Sequence, residues 1–324
     1  MIAAGSDLDE TTENMASGAT DRDLDLRVFV TGATGQAGSD VVLELTKRGH
    51  TVLGSGSRAS DRPGYVRLDI TCREAVEETV AGFGPDAVIH CAAWTAVDAA
   101  EAPENREAVF AVNALGTQNV AEAAAAAGAK MVYLSTDYVF DGDGERPWAP
   151  EDVPFDPLNV YGLSKLEGER AVAAALDRFF IVRIAWAFGK NGKNFVRTML
   201  NVGRTRDRVR VVCDQIGAPT YTKDLARLLA DMIETEEYGY YHATNEGGYV
   251  SWYDFCREIY RQAGLETKVL PVTTAEYGLN VAARPFNSRL DNKKLTEKGF
   301  APLPDWRDAL ARYLEEIGDG TDQG

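Results

Sequence analysis

Hydrophobic residues in the first half of the chain form short continuous runs, and longer segments with helical spacing separate these runs. The runs lie at 27–31, 50–54, 86–91, 130–135 and 179–185, and the helical segments at 40–48, 104–127 and 161–176. Continuous apolar strands that alternate with helices are typical of a parallel sheet covered on both faces. The pattern therefore predicts an α/β fold of the Rossmann type, with a doubly wound parallel sheet.

The regular alternation ends near residue 190, where Tyr, Gly, Asn and Pro become more frequent. We expect a dinucleotide-binding domain at 27–190 and a smaller, mainly substrate-binding lobe at 191–317, with a helix near 223–235 that returns to the sheet. Residues 1–26 carry seven acidic side chains, one arginine and little apolar sequence, which predicts an acidic disordered tail. Residues 318–324 are expected to form a second tail.

The amino-acid composition argues against several classes of function. The chain has 34 basic and 50 acidic residues, a net charge of −16, which argues against a nucleic-acid partner because phosphate binding needs a basic face. Neither a long apolar run nor a signal-peptide pattern is present, so we expect a cytoplasmic protein without a membrane partner. The four cysteines lack a C-x-x-C pair and the three histidines are scattered, which predicts neither a disulfide framework nor a zinc site.

A glycine-rich turn links the first predicted strand to the first predicted helix. Gly32, Gly35 and Gly38 form G-x-x-G-x-x-G, which permits a tight turn, a close approach to a pyrophosphate and close helix–strand packing. The second strand runs into Ser57 and Arg58 without the carboxylate that binds the ribose hydroxyl of NAD. Hydroxyls and an arginine suit a phosphate, so NADPH is favoured, with NADH as the alternative.

Three residues further along predict an acid–base site. Tyr161 and Lys165 form Y-x-x-x-K and share one helix face, and Thr136 ends a strand where α/β sheets bind ligands. An adjacent ammonium is expected to lower the tyrosine pKa by roughly 2–3 from ~10, so that the phenol exchanges a proton near neutral pH. A Y-x-x-x-K pair alone arises often by chance. The three residues together, downstream of the glycine loop, are far more specific.

Several longer segments resemble one family. These segments are LDIT at 68–71, AAWTAVD at 92–98, STDYVFD at 135–141, NFVRTM at 194–199, DQIGAPT at 214–220 and RPFNSRLD at 284–291. Together they resemble the dTDP-4-dehydrorhamnose reductase family of extended short-chain dehydrogenases/reductases. The resemblance extends from about residue 27 to 317. It implies reduction of the C4 ketone of dTDP-4-dehydro-L-rhamnose to dTDP-L-rhamnose by NAD(P)H.

The resemblance also implies roles for individual residues. Thr136 would polarise the ketone, Tyr161 would donate the proton, and Lys165 would hold the nicotinamide ribose and lower the Tyr161 pKa. The implied cofactor contacts are Gly32, Thr34, Gly35, Gln36, Ala37, Gly38, Ser57, Arg58, Asp69, Ile70, Ala92, Ala93, Trp94, Asn113, Tyr161 and Lys165. The implied substrate contacts are Thr95, Val97, Thr136, Asp137, Tyr138 and Trp186, with Asn194 and Arg284 on the diphosphate side.

Some features are left open by the sequence. Trp94 and the segment 187–189 depart from the family pattern and could reshape the sugar pocket. Some family members are dimers bridged by magnesium, so Mg²⁺ and a homodimer are possible here, although no ligands can be assigned. Alternative functions are a sugar-nucleotide dehydratase or epimerase, a general ketone reductase, or a non-catalytic NADP-binding subunit of the methionine adenosyltransferase type. The pair Asp137-Tyr138 argues against a dehydratase, which typically has Asp-Glu there.

Overall fold

The computed structural model describes residues 25–279 and 281–318. The tails predicted at 1–26 and 318–324 therefore lie almost entirely outside the described residues. The strands are β1 (Arg27–Thr31), β2 (Thr51–Gly56), β3 (Tyr65–Arg67), β4 (Ala87–His90), β5 (Lys130–Thr136), β6 (Phe179–Ile184), β7 (Ala187–Phe188), β8 (Arg208–Val212), β9 (Ile216–Gly217), β10 (Thr220–Tyr221), β11 (Gly239–His242), β12 (Val250–Ser251), β13 (Lys268–Val272) and β14 (Asn287–Ser288).

Helices follow most of these strands. They are α1 (Gln36–Lys47), α2 (Arg73–Phe83), α3 (Val97–Ala100), α4 (Arg106–Phe110), α5 (Thr117–Ala126), α6 (Val160–Ala175), α7 (Phe195–Gly203), α8 (Thr222–Ile233), α9 (Trp252–Gln262), α10 (Thr274–Tyr277), α11 (Lys293–Glu297) and α12 (Trp306–Gly318). A π-helical turn, Ala111–Gly116, joins α4 to α5. No helix in the described ranges is long and apolar enough to cross a membrane.

Seven parallel strands form the central sheet in the order β11-β6-β5-β4-β1-β2-β3. The Rossmann-type prediction is confirmed. From β1 the chain moves outward to β2 and β3, then returns to the other side of β1 with β4, so the strand order reverses between β1 and β4. Thr31 pairs with His90 at this reversal. Ligands of open α/β sheets bind beyond the carboxyl ends of the strands at such a point.

Each face of the sheet buries its own apolar core. On one face α1 and α8 pack together, with Val41, Leu45 and Leu229 fully buried. On the other face α2, α5 and α6 cover the sheet, with Val76 and Val120 in the core. The helix predicted near 223–235 is thus present as α8 and lies against the sheet, while the division into two units at residue 190 stays a prediction.

A third core lies outside the central sheet. It is rich in aromatic side chains: Phe188 and Phe255 are buried there with Trp306 and Tyr313. These residues come from β7, α9 and α12. Helix α12 therefore packs against β7 and α9 in this core. The rings of Phe188 and Tyr313 meet edge to face with centroids 5.3 Å apart, a favourable aromatic geometry.

Candidate active site

The glycine loop at the end of β1 has no room for side chains. Gly32 has a φ of +65°, and a Cβ there would lie 2.7 Å from the backbone nitrogen of Ala92. A Cβ on Gly38 would collide with the carbonyl oxygen of Gly32. Gly35 caps α1 without a side-chain hydrogen bond, and the first turn holds no acidic residue. The amide groups and positive dipole end of α1 can therefore receive a pyrophosphate.

Residues 189–194 brace this loop from the side. Asn191 Nδ2 donates to Ser39 Oγ at 2.7 Å, and Asn194 Nδ2 donates to Gln36 Oε1 at 3.2 Å. Asn194 is buried, caps α7 and also donates to the hydroxyl of Tyr313 at 3.1 Å. Its polar atoms are thus used within the protein, next to the glycine loop. Its predicted place on the diphosphate side with Arg284 stays a prediction.

The end of β2 offers a basic rim beside the loop. Ser57 and Arg58 are exposed, and the carbonyl of Arg58 accepts a hydrogen bond from the Tyr65 hydroxyl at 2.6 Å. Arg62 was missed by the sequence analysis, although it lies four residues beyond Arg58 in the same polar stretch. Its Nη1 donates to the carbonyl oxygen of Ala33, inside the glycine loop, at 3.5 Å. Arg62 thus contacts the glycine loop, and Arg58 is exposed in the same stretch after β2.

Asn113 ties the segment after β4 to helix α6. Its Oδ1 accepts from the backbone nitrogen of Trp94 at 2.8 Å, and its Nδ2 donates to Trp94 O at 3.1 Å and to Ser164 Oγ at 2.9 Å. Asn113 lies in the π-helical turn, a distortion that is frequent at functional sites. These hydrogen bonds hold the backbone after Ala92 and Ala93 in place relative to Ser164, which precedes Lys165.

The remaining predicted cofactor contacts lie in the segments that follow β1 and β3. Asp69 is exposed and its Oδ1 accepts from both the nitrogen and the hydroxyl of Thr71, at 3.0 and 2.8 Å. Ile70 is buried against Gly116. Thr34 is exposed, and Ala37 lies in the first turn of α1. Their contacts with a cofactor stay predictions.

Thr136, Tyr161 and Lys165 come together at the carboxyl edge of the sheet. Thr136 is the last residue of β5, and its hydroxyl donates to Asp137 Oδ1 at 3.0 Å. Tyr161 lies in the first turn of α6, and its ring meets the ring of Tyr138 edge to face at 5.7 Å. Lys165 is buried on the same helix. The order of strands and helices along the sequence predicted that these three residues would lie at one edge of the sheet.

The charge state of the tyrosine differs from the prediction. Burial raises the pKa of Tyr161 above its usual value, and the neighbouring Thr136 hydroxyl only partly opposes this rise. The Lys165 ammonium donates to the carbonyl of Leu134 at 2.8 Å and lies 4.0 Å from the ring centroid of Tyr133. The pKa of Tyr161 in the chain without cofactor is therefore raised rather than lowered, and the effect of Lys165 on this pKa stays a prediction. Tyr161 is protonated at neutral pH, the form that a proton donor needs.

Asp137 and Tyr138 line the wall next to this trio. Asp137 is buried, and its Oδ2 has no hydrogen-bond partner among the described residues. Burial raises the pKa of Asp137 to about 6, although the Ser288 hydroxyl opposes the rise. The carboxyl group therefore titrates near neutral pH, and it can hydrogen-bond a hydroxyl group in either protonation state.

Arg284 and Trp186 both belong to segments outside the strands of the central sheet. Arg284 Nη2 pairs with Asp98 Oδ2 at 2.9 Å, and its charge lowers the pKa of the nearby Tyr138, which burial otherwise raises. Trp186 has a φ of +50°, unusual for a non-glycine residue, and stacks on Trp252 with centroids 3.7 Å apart. The ring thus belongs to the aromatic core but remains partly exposed.

Thr95 and Val97 occupy the segment between β4 and the start of α3. Thr95 is exposed and Val97 is half-buried. The indole Nε1 of Trp94 donates to the carbonyl of Ala96 at 3.2 Å, which orders the turn between them. The described part of the chain contains no group of three or more His, Cys, Asp or Glu side chains that could hold a metal ion. No ligands for Mg²⁺ can therefore be named.

Comparison with known proteins agrees with this geometry. Residues 26–318 match the family model described as the RmlD substrate binding domain. The chain belongs to the RmlD family. An RmlD relative, dTDP-4-dehydrorhamnose reductase of Streptomyces griseus, is 42% identical over 299 residues, covering 90% of this chain and 94% of the relative. The spore coat polysaccharide biosynthesis protein SpsK of Bacillus subtilis is 38% identical over 296 residues, covering 91% and 99%.

A solved RmlD structure shares the fold. The crystal structure of dTDP-4-dehydrorhamnose reductase from Bacillus anthracis in complex with NADP superposes with a TM-score of 0.84 at 40% identity. The match covers 90% of this chain and 100% of the other. The resemblance recognised in the sequence is therefore confirmed, and an RmlD fold carries the convergent Thr136, Tyr161 and Lys165.

Proposed function

We propose that this chain is an NAD(P)H-dependent oxidoreductase that reduces the C4 ketone of dTDP-4-dehydro-L-rhamnose to dTDP-L-rhamnose. The convergence of Thr136, Tyr161 and Lys165 beside a glycine loop carries this proposal. Family membership supports it, because relatives at 38–42% identity bear the name dTDP-4-dehydrorhamnose reductase and one was crystallised with NADP. The non-catalytic alternative is not favoured, since a purely binding subunit needs none of the three groups.

Each residue of the trio has a distinct task. A bound nicotinamide supplies the hydride that forms the new bond at C4. The Thr136 hydroxyl donates a hydrogen bond to the ketone oxygen, and the Tyr161 hydroxyl gives that oxygen its proton as negative charge develops there. Lys165 offsets the charge left on Tyr161 and hydrogen-bonds the ribose. Solvent then returns a proton to Tyr161, so one ketone, one hydride and one proton give one alcohol.

We propose that the substrate binds between the expected dinucleotide-binding domain and the smaller lobe. Asp137 and Tyr138 lie directly after Thr136 and reach the sugar ring, while Trp186 flanks it. Arg284 is the cation closest to Tyr138 in this wall and suits the diphosphate, which binds planar guanidinium groups well. The burial of the Asp137 carboxyl group supports a role in accepting a hydrogen bond from a sugar hydroxyl.

The direct test is the loss of nicotinamide absorbance when the chain is mixed with NADPH and dTDP-4-dehydro-L-rhamnose. We expect substrate-dependent oxidation, faster with NADPH than with NADH. Verified substrate with neither cofactor consumed would reject the proposal, and the search would then turn to other keto-sugar nucleotides or to a protein partner.

The basic rim predicts the cofactor preference. Replacing Arg58 and Arg62 together by alanine should raise the KM for NADPH about tenfold or more and leave the KM for NADH nearly unchanged, because only NADPH carries a 2′-phosphate. Steady-state kinetics with both cofactors measures this ratio. Arg170→Ala, a change on α6 at an exposed pair with Glu167, is the matched control. An equal loss for both cofactors would contradict the assignment.

A further inference from the structure

A buried ion pair lies directly behind the candidate active site. Arg183 on β6 and Glu169 on α6 have side chains only 1% and 3% exposed, with Nη2 to Oε2 at 2.8 Å and Nε to Oε1 at 2.9 Å. The hydroxyl of Ser135 also donates to Glu169 Oε1, at 2.5 Å. Two ions in a protein core are costly unless they are paired and hydrogen-bonded. Here every oxygen of Glu169 is used.

Glu169 lies on the same helix as Lys165, the lysine of the candidate active site. Glu169 follows Lys165 by four residues on α6, so both side chains lie on one face of the helix. Besides Glu169, Arg183 contacts the carbonyl of Pro150 at 3.3 Å and the ring of Tyr240. Lys165 and Glu169 thus carry opposite charges about one helical turn apart, and the Glu169 carboxylate favours the charged form of Lys165.

The other titratable groups around Lys165 are neutral, so they contribute little to stabilising its charged form. His90 and Cys91 at the end of β4 are neutral, because burial lowers the pKa of His90 to about 3 and raises that of Cys91 to about 12. Tyr133 on β5 and Tyr161 on α6 are neutral phenols whose pKa values burial raises. Burial lowers the pKa of Lys165 to about 7, while the carboxylate of Glu169 opposes this change.

We propose that Glu169 is a positioning residue that keeps the ammonium of Lys165 charged. The proposal rests on the role of Lys165 in the proposed function. Ser135 precedes Thr136, so its bond to Glu169 anchors the strand end to α6 at the level of the site. The hydrogen-bonded pairing with Arg183 offsets the cost of burying the Glu169 carboxylate.

The test compares wild type with Glu169→Gln across pH, using NADPH affinity by fluorescence titration and kcat/KM for NADPH. In wild type both quantities should fall as pH rises past about 7, where Lys165 loses its proton in the free enzyme. Without the carboxylate this fall should begin about one pH unit lower. The two proteins should converge at low pH and differ about tenfold at pH 8.

A matched control and a second variant keep the result interpretable. Glu167→Gln removes an acid from the same helix that pairs with Arg170 instead, and it should leave the pH profile unchanged. Glu169→Gln combined with Arg183→Met avoids a stranded buried cation if the single variant does not fold, and it should shift the profile in the same direction.

A constant loss at every pH would indicate a structural role only and would overturn the proposal, as would an unmoved profile in a folded variant. The binding titration needs no sugar substrate. A shifted profile without turnover in wild type would therefore reject the proposed function and leave the inference on Glu169 intact.

Discussion

Replacing Tyr161 with phenylalanine should lower kcat at least ~10²-fold while NADPH binding is retained. The change removes one hydroxyl, the group placed beside Thr136 at the end of β5, and leaves the ring that packs on Tyr138. Because burial keeps this phenol protonated at neutral pH, it is ready to give its proton to the developing alkoxide. Single-turnover kinetics with saturating NADPH isolates the chemical step from cofactor binding.

Tyr238→Phe is the matched control for this experiment. The Tyr238 hydroxyl accepts from Arg178 Nε at 3.1 Å just before β11 begins, at the opposite end of the strands from Thr136. Its loss should leave kcat unchanged. Turnover of Tyr161→Phe within a few-fold of wild type would remove Tyr161 as proton donor and shift attention to Asp137, whose pKa of about 6 also permits proton transfer.

Gly38→Ala should reduce NADPH affinity by at least about a hundredfold, or prevent folding of the glycine loop. The added Cβ would collide with the carbonyl oxygen of Gly32 and lie 2.8 Å from its carbonyl carbon, both backbone atoms that cannot rotate away. The start of α1 must then move off the loop, and its amide groups lose their alignment with the pyrophosphate. Calorimetric titration with NADPH and thermal unfolding together measure the two consequences.

Gly82→Ala is the control for Gly38→Ala, because it makes the same substitution at a helical glycine that has space for a side chain. Gly82 lies in α2, and nothing lies within 4 Å of the position that a Cβ would take. Alanine there should be neutral or stabilise the chain by about 0.5–1 kcal/mol, because a helical glycine gives up more backbone entropy on folding. Equal NADPH affinity in Gly38→Ala and wild type would show that close loop–helix packing is not what holds the cofactor.

The fold was largely predictable because the central strands are continuous apolar runs. The short edge strand β3 and the outer strand β11 were missed, since three or four residues with mixed polarity give no clear period. The segment at 104–127 was expected to be one helix. Its alanines fit helical spacing, but spacing does not reveal the π-helical turn that places Asn113 between Trp94 and Ser164.

The candidate site was predictable where order along the chain implies position in the sheet. Thr136 ends a central strand and Tyr161 opens the next helix, so their convergence follows from the parallel topology. The direction of the Lys165 ammonium and the hydrogen bonds of Asn194 could not be predicted, because they depend on partners from distant segments, Leu134 and Gln36. The spacing of Glu169 from Lys165 was visible in the sequence, but its pairing with Arg183 was not.

The central claim is hydride transfer from the nicotinamide to C4 of the keto sugar, and isotope tracing tests it most directly. The chain would be incubated with dTDP-4-dehydro-L-rhamnose and NADPH deuterated at both hydrogens of the nicotinamide C4, and the product analysed by mass spectrometry and NMR. We expect one deuterium at C4 of the sugar for each NADP⁺ formed. A product without deuterium at that carbon, or no product with a verified substrate, would contradict it.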